Sequence, residues 1–122
     1  MDGLNQTEVL MADAVQSINI LNFALDAIQQ RQQTIANNIS NQDTSGFQAN
    51  VVDFENSLAS AMQNGGTASA TTVPEGLASG TNGNNVSESA ELSLESQTNL
   101  ENQSVANSLQ SEFSMLSTAI TG

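Results

Sequence analysis

Apolar residues recur at heptad spacing through the N-terminal part of the chain. The pattern extends from Leu4 to Ile39 without Pro or Gly, and only Thr7 and Gln32 interrupt it. Sustained over five heptads, it predicts one long helix of about 50–55 Å at 1.5 Å per residue. The two heptad positions are filled by Leu4, Met11, Ile18, Leu25 and Ile39 and by Ala14, Leu21, Ile28 and Ile35.

A second apolar group lies on the opposite side of the same predicted helix. It consists of Ile20, Phe23 and Ala27. One partner helix would leave this group in contact with water, because a helix that is apolar on two sides requires neighbours on two sides. We therefore expect more than one element to pack against this helix.

A turn and a short helix are predicted next. Turn-forming residues cluster at 43–46, with the sequence Asp-Thr-Ser-Gly. Asp53 has the residue type of an N-cap, which predicts a short helix to about residue 62. Apolar spacing resumes through Val51, Val52, Phe54, Leu58 and Met62.

Residues 64–85 differ in composition from the segments on either side. They consist largely of Gly, Ser, Thr, Ala and Asn, with the only Pro of the chain and almost nothing to bury. This composition predicts a flexible loop. A short β-hairpin around residues 71–73 is the alternative, although so small a hairpin is only marginally stable in water.

A second long helix is predicted from about residue 88 to residue 120. Its stripe is clearest at Leu109, Phe113, Leu116 and Ile120, with spacings of 4, 3 and 4. The early part is less regular and acidic, which suits a helix N-terminus.

The fold class that follows is mainly α. Long N- and C-terminal helices are expected to form an antiparallel coiled-coil hairpin, with a short helix and a flexible central loop. The predicted segments are the N-terminal helix at 1–42, the turn and short helix at 43–63, the loop at 64–87 and the C-terminal helix at 88–122. The expected helix-packing residues are Ile18, Leu21, Leu25, Ile28, Ile35, Leu109, Phe113, Leu116 and Ile120.

The net negative charge of the chain disfavours some classes of binding partner. The 122-residue chain carries 13 Asp and Glu against a single cation, Arg31, and its formal net charge is -12. Nothing in it could displace counterions from phosphate, so nucleic acid and anionic membranes are poor partners and a basic or neutral protein is favoured. For Arg31, two interpretations remain open: an exposed head on a buried stem, or an ion pair with an acid of the partner helix.

The residue types that catalysis commonly needs are missing. The chain has no Cys and no His, which excludes disulfides, thiolate metal sites and the commonest general base. Its acids lie mostly on polar helix faces or in the loop, and none is embedded in an apolar run of the kind that raises a carboxyl pKa. We expect no enzymatic activity, no cofactor and no small-molecule substrate.

The turn has the oxygen spacing of a calcium loop. Asn41, Asp43, Ser45 and Gly46 fall at positions 1, 3, 5 and 6, but Val52 stands at position 12, where a bidentate Glu is required. The sequence therefore favours an Asx-type turn with Gly46 at positive φ. A calcium-binding helix-loop-helix module remains the alternative from a different functional class.

Neither a secretory signal nor a membrane span is expected. The stretch MDGLNQTEVL has no basic segment and no continuous apolar run, unlike a cleaved signal peptide. No stretch approaches the roughly 20 apolar residues that cross a bilayer.

The stretch RQQTIANNISNQDTSGFQANVVDFE resembles the N-terminal signature of the flagellar rod, hook and hook-filament axial proteins. Asp53 and Phe54, in the Val-Asp-Phe-Glu that follows the signature, are similar to residues of proximal rod members. The resemblance extends to Gly-Asn-Asn-Val at 83–86 and to the closing apolar stripe. The signature, A-N-N-I-[AS]-N-x-x-T-x-G-[YF], is matched by Ala36, Asn37, Asn38, Ile39, Ser40, Asn41, Thr44, Gly46 and Phe47.

This resemblance implies a structural axial subunit of the proximal rod, with these motif residues serving assembly. It implies that the terminal helices pack as the inner coiled coil of a periplasmic tube that carries torque from the basal body to hook and filament. The implied partners are copies of the chain, other rod proteins, the basal body ring and export gate, and the type III export apparatus, which exports such subunits without a cleaved signal. Another proximal rod subunit is the alternative within the family.

Overall fold

The computed structural model describes residues 5–121, which form three helices and one small sheet. The predicted long terminal helices and the short helix between them are confirmed. Leu4, the first residue of the predicted stripe, and the outermost residues of the segments 1–42 and 88–122 lie outside the described part. In chain order the elements are α1 (Gln6–Ser40), β1 (Asn50–Asp53), α2 (Glu55–Asn64), β2 (Thr71–Pro74) and α3 (Glu88–Thr121).

Asn side chains close both ends of α1. The Asn5 side chain accepts a hydrogen bond from the backbone N–H of Glu8 at 2.8 Å, and the Glu8 carboxylate accepts one from the N–H of Asn5 at 3.2 Å. This capping box satisfies donors that the first turn of a helix leaves free. At the other end, the side-chain amide of Asn41 donates to the carbonyl of Asn37 at 2.8 Å. The helix begins and ends where its sequence supplies local partners.

Helices α1 and α3 form an antiparallel hairpin. Near the end of α1, Asn38 meets Glu91 at the start of α3. Toward the middle of both helices, Ile18 and Leu21 pack with Leu109. Residues nearer the start of α1 therefore meet residues nearer the end of α3, as expected for the antiparallel pairing predicted from the two apolar stripes.

The second apolar side of α1 is covered from within the chain. Ala27 and Ile28 form a buried cluster with Val52 of β1 and Phe54, and Phe23 packs against it. This contact satisfies the expectation that α1 has neighbours on two sides. None of the helices in residues 5–121 combines the length and the hydropathy that a membrane span needs.

The sheet corrects the prediction for the central segment. Strand β2 pairs antiparallel with β1, with Val51 opposite Val73 and Val52 opposite Thr72. Part of the predicted loop is thus a strand, and its partner lies about 20 residues earlier in the sequence rather than in a local hairpin. The sequence did not predict this strand because its partner strand is distant in the sequence. In the folded chain Val52 of that partner strand is completely buried.

The prediction of Asp53 as the N-cap of the short helix is wrong. Asp53 is the last residue of β1, and the N-cap position belongs to Phe54, whose φ is -150° and which makes no side-chain capping bond. Phe54 is held there by packing instead, because its ring is 2% exposed in the core. Tertiary burial outweighs the local capping preference at this position.

Candidate functional site

The motif forms a corner in which residues 41–47, after α1, lie against residues 82–85, before α3. The N–H of Gly46 donates to the carbonyl of Asn82 at 2.9 Å, and the N–H of Asn85 donates to the carbonyl of Phe47 at 3.2 Å. Gly46 has φ of 76°, which confirms the predicted positive φ. Gly83, also at positive φ, lies so close that a Cβ on it would be 3.3 Å from the Cα of Gly46. The missing side chain of Gly83 allows the two segments to touch, whereas Gly46 supplies the positive φ of the turn.

Two consecutive asparagines tie this corner together. The side-chain amide of Asn84 donates to the carbonyls of Asn41 at 2.8 Å and Thr44 at 2.7 Å, while its oxygen accepts from the N–H of Val86 at 2.8 Å. Asn85 is equally engaged, since its side-chain oxygen accepts from the N–H of Ala49 at 2.7 Å. Buried amides that use both donor and acceptor atoms fix one backbone arrangement. The corner is therefore a rigid joint between α1 and α3.

Asn38 extends the joint to the sheet. Its side chain is fully buried, accepts from the N–H of Asn50 at 3.2 Å and donates to the carbonyl of Asn50 at 2.8 Å. The same amide also donates to the carboxylate of Glu91 at 3.0 Å. One side chain of the motif thus connects α1, β1 and α3.

Glu91 is a buried acid that sequence reasoning missed. It is 1% exposed, and its Oε2 has no hydrogen-bond donor among the described residues. Burial first, and then the hydrogen bond and charge of Glu75, raises the pKa of Glu91 to about 7. The Glu91 carboxyl therefore keeps its proton to higher pH than an exposed glutamate, because the protonated form is uncharged in a buried site beside a second acid.

The sequence places no acid in an apolar run of the kind that raises a carboxyl pKa, yet burial raises the pKa of Glu91 and of Glu101. The effect comes from tertiary burial and not from neighbours in the sequence. At 1% exposure, the Glu91 carboxyl offers no accessible surface to a substrate.

Arg31 is the centre of a second buried cluster, where α1 meets β1 and α2. Its Nη2 donates to the carbonyl of Val52 at 2.6 Å and to Oε1 of Glu55 at 2.7 Å, and its Nη1 contacts the other oxygen of Glu55. The guanidinium lies 4.5 Å from the centroid of the Phe54 ring. Glu101 of α3 is at 3.5 Å. The bidentate pair and the ring stacking fit Arg rather than Lys.

The cluster decides between the two interpretations of Arg31. The interpretation of an exposed guanidinium on a buried stem is wrong, because Arg31 is 4% exposed. The predicted ion pair to the partner helix exists through Glu101, but Glu55 of α2 is the closer partner.

Charge pairing shifts the pKa values in this cluster. Burial acts to lower the pKa of Arg31, but the hydrogen bond and charge of Glu55 outweigh it and raise that pKa. The hydrogen bond from Arg31 lowers the pKa of Glu55. Burial, followed by the charge of Glu55, raises the pKa of Glu101. Arg31 therefore stays charged and holds Glu55 ionised.

The structure separates the predicted motif residues into three groups. The joint uses Asn38, Asn41, Thr44, Gly46 and Phe47, while Phe54 lies in the core beneath Arg31. The others, Ala36, Asn37, Ile39 and Asp53, do not enter the buried core; three of these are exposed and Ile39 is half-buried.

The calcium spacing ends in the hydrophobic core. Val52, at the position of the required Glu, is fully buried against Ala27 and Ile28. Ser45, at another ligand position, donates its hydroxyl to the carbonyl of Asn82 at 3.3 Å. The hydroxyl of Ser45 thus contributes a hydrogen bond to the joint between α1 and α3.

The predicted helix-packing residues also divide into two groups. Phe113 and Ile120 are 53% and 64% exposed, so packing within this chain leaves more than half of each residue uncovered. They lie at what we term the open end, residues 9–15 of α1 and 113–120 of α3, where Val9, Leu10, Val15 and Met115 are also exposed. The residues that pack within the chain, fully or in part, are Ile18, Leu21, Leu25, Ile28, Ile35, Leu109 and Leu116.

Sequence reasoning missed most partners of the joint. Asn84 and Asn85 belong to the Gly-Asn-Asn-Val stretch, which was the one available signal for them. Glu55 had a signal only as the last residue of the Val-Asp-Phe-Glu stretch, and Glu91 has no local signal because its partner Asn38 is far away in the sequence.

Comparison with known proteins points to one family. A search of the curated proteins finds no match to this chain. The family model of the flagella basal body rod proteins matches residues 18–48, which comprise α1 from Ile18 to its end and the first side of the corner. This match supports a place for the chain in the flagellar basal body rod family, with a structural role at the basal body.

Proposed function

We propose that this chain is a structural axial subunit of the proximal rod of the bacterial flagellum, of the kind represented by FlgB. It would assemble with copies of itself and with other rod proteins into the shaft that carries torque from the basal body to the hook and filament. Its place would be the periplasmic rod, next to the basal body ring and the export gate. The match of the rod family model to residues 18–48 carries this proposal.

The geometry supports a subunit that transmits force. The corner joins α1 and α3 through buried side-chain amides, and Asn38 ties both helices to the sheet. Satisfied buried polar networks resist local rearrangement. Torque applied to one helix would therefore reach the other without opening the turn.

The open end supports assembly. Its exposed apolar side chains continue the stripes whose inner residues pack within the chain. In a tube, each subunit contacts several others, and these side chains would become buried there. This arrangement is the one we propose for the coiled-coil core of the rod.

The same end is suited to export by the type III apparatus without a cleaved signal. With little apolar contact inside the chain, the helix ends of a dilute monomer would be partly disordered and would gain helix on assembly. Circular dichroism of the dilute chain tests this step. A fully helical monomer that melts in one cooperative transition would contradict it.

The proposed function is tested by deletion and complementation. A strain that lacks this gene should be non-motile and should lack the rod beyond the proximal position in cryo-microscopy of its basal bodies. The wild-type chain should restore both, whereas Gly46→Val should restore neither, because a β-branched residue is strained at positive φ. Motile deletion cells with complete rods would overturn the proposal, and a rod interrupted at a different level would assign the chain to another rod position.

A further inference from the structure

A groove lies between α1, the C-terminal end of α2 and α3. It has a volume of ≈ 480 Å³, within the range of about 300–1,000 Å³ typical of binding clefts. Its floor is apolar, because Ile20, Leu21 and Ala61 line it and each is at most 9% exposed. Met62 also lines it and is 61% exposed. An unbranched thioether can adapt its shape to an incoming side chain.

The ionisable residues of this groove are both acids. Asp13 of α1 and Glu112 of α3 line it, together with uncharged polar side chains. The groove therefore combines an apolar floor with negative charge. A ligand that fits both would carry apolar anchors flanked by positive charge.

A second copy of this chain cannot supply the positive charge that would pair with the acids of the groove. Arg31 is the only Lys or Arg in the sequence. It is 4% exposed and is held by Glu55 and the carbonyl of Val52. A second copy would bring further acids to the groove and no basic side chain, so the electrostatic term between copies is repulsive there.

We propose that this groove docks a basic amphipathic segment of a different protein and not a second copy of this chain. Apolar side chains of that segment would lie on Ile20, Leu21 and Ala61, and its Lys or Arg residues would pair with Asp13 and Glu112. The inference rests on the proposed function for the presence of a neighbouring protein and adds the chemistry of that neighbour. Contacts between copies would then lie elsewhere and would be apolar or uncharged.

The test uses the purified full chain and a synthetic helical peptide. The peptide carries Leu at i, i+3, i+4 and i+7 and Lys on its flanks, and a second peptide replaces each Lys by Glu. Fluorescence anisotropy at 0.15 M salt should show binding of the Lys peptide only. The double variant Asp13→Asn/Glu112→Gln should weaken that binding about tenfold, since each lost pair contributes modestly. Met62→Ser should weaken it severalfold through lost apolar contact.

A matched variant separates docking from general attraction. Asp26→Asn/Glu88→Gln removes the same number of charges at exposed positions outside the groove and should change binding less than twofold. Circular dichroism of each variant should show unchanged helicity, as these residues lie outside the buried core.

Three results would overturn the inference. An equal loss in both double variants would show non-specific counterion attraction. Binding of the Glu peptide as tight as that of the Lys peptide would show that charge does not select the occupant. Self-association in sedimentation velocity that Met62→Ser abolishes would show that a second copy fills the groove. None of these results depends on motility, so failure here is distinguishable from failure of the proposed rod function.

Discussion

The two ends of the helical hairpin are built from different chemistry. At the closed end, the corner and its surroundings bury Arg31, Asn38, Asn84, Asn85 and Glu91, and nearly all their polar atoms have partners. At the open end, α1 and α3 continue as helices but leave Phe113 and Ile120 mostly in water. Buried polar networks thus hold the closed end of the hairpin together. The open end instead presents apolar side chains that this chain leaves mostly uncovered.

This difference indicates a division of labour between folding and assembly. Buried polar groups discriminate strongly against other arrangements, because each unpaired group is costly. Exposed apolar groups favour any partner that can cover them. We therefore expect substitutions at the closed end to change the stability of the single chain and substitutions at the open end to change its assembly.

The largest effect is expected at Arg31. Arg31→Met should lower the free energy of unfolding by about 2–4 kcal/mol, because it leaves the carbonyl of Val52 without this donor and Glu55, whose side chain is 47% exposed, without its cation. Urea unfolding followed by circular dichroism measures this. Since small domains have only about 5–15 kcal/mol in total, the variant could be largely unfolded at 25 °C.

The control for this variant is Gln29→Met, on an exposed position of the same helix. It should change stability by no more than about 0.5 kcal/mol. If Arg31→Met behaved like this control, the buried cluster would not be what holds α2 and β1 against α1.

The pH dependence of stability should reveal Glu91. Its pKa is about 7 in the folded chain against an ordinary 4.5, so the folded state holds more protons between these values. The stabilisation from this group is complete below about pH 4.5 and is lost as pH rises through about 7, with a total of about 3 kcal/mol at most. The lowered pKa of Glu55 acts in the opposite sense and at lower pH, since its contribution is lost on acidification.

Glu91→Gln tests this assignment. The uncharged amide should remove most of the decline between pH 5 and pH 7.5 in urea unfolding. Glu88→Gln, an exposed acid of the same helix, should leave the decline in place. An identical pH profile for wild type and Glu91→Gln would contradict the raised pKa of the buried Glu91 carboxyl.

A smaller effect is expected at the glycine of the corner. Gly46→Ala should cost about 1–2 kcal/mol because L-residues are disfavoured at positive φ, although a Cβ there meets nothing within 4 Å. Gly80→Ala is the matched control: Gly80 is not at positive φ, and a Cβ would make ordinary contacts at 3.6 Å. Equal melting temperatures for the two variants would show that the backbone of the corner adapts.

The smallest effect on the single chain is expected at the open end. Phe113→Ser/Ile120→Ser should change the free energy of unfolding by less than about 1 kcal/mol, as both side chains are already mostly exposed. Leu109→Ala, in the buried part of the same stripe, should cost about 2–4 kcal/mol. The comparison uses urea unfolding of the purified chains.

At the open end, we expect substitutions to impair assembly much more than they impair the stability of the single chain. The double Ser variant, although stable, should fail to restore motility in the deletion strain. Full complementation by it would mean that this apolar surface is not buried in the working assembly.

The sequence by itself determined the helices and the turn. Periodic apolar residues predicted α1, α2 and α3, and the Asp-Thr-Ser-Gly stretch with Gly46 predicted the turn, because these features depend on residues a few positions apart. It also determined the acidic character of the chain and pointed to the motif that the rod family model matches.

Only the tertiary structure decided the sheet, the cap of α2 and the buried charges. Strand β2 exists through its pairing with β1, and Phe54 replaces Asp53 at the cap because the core holds its ring. Glu91 is buried where α3 meets Asn38 of α1. Each of these features depends on residues that are distant in sequence and close in space. Local propensity contains no information about such contacts, since the burial that sets their energies exists only in the folded chain.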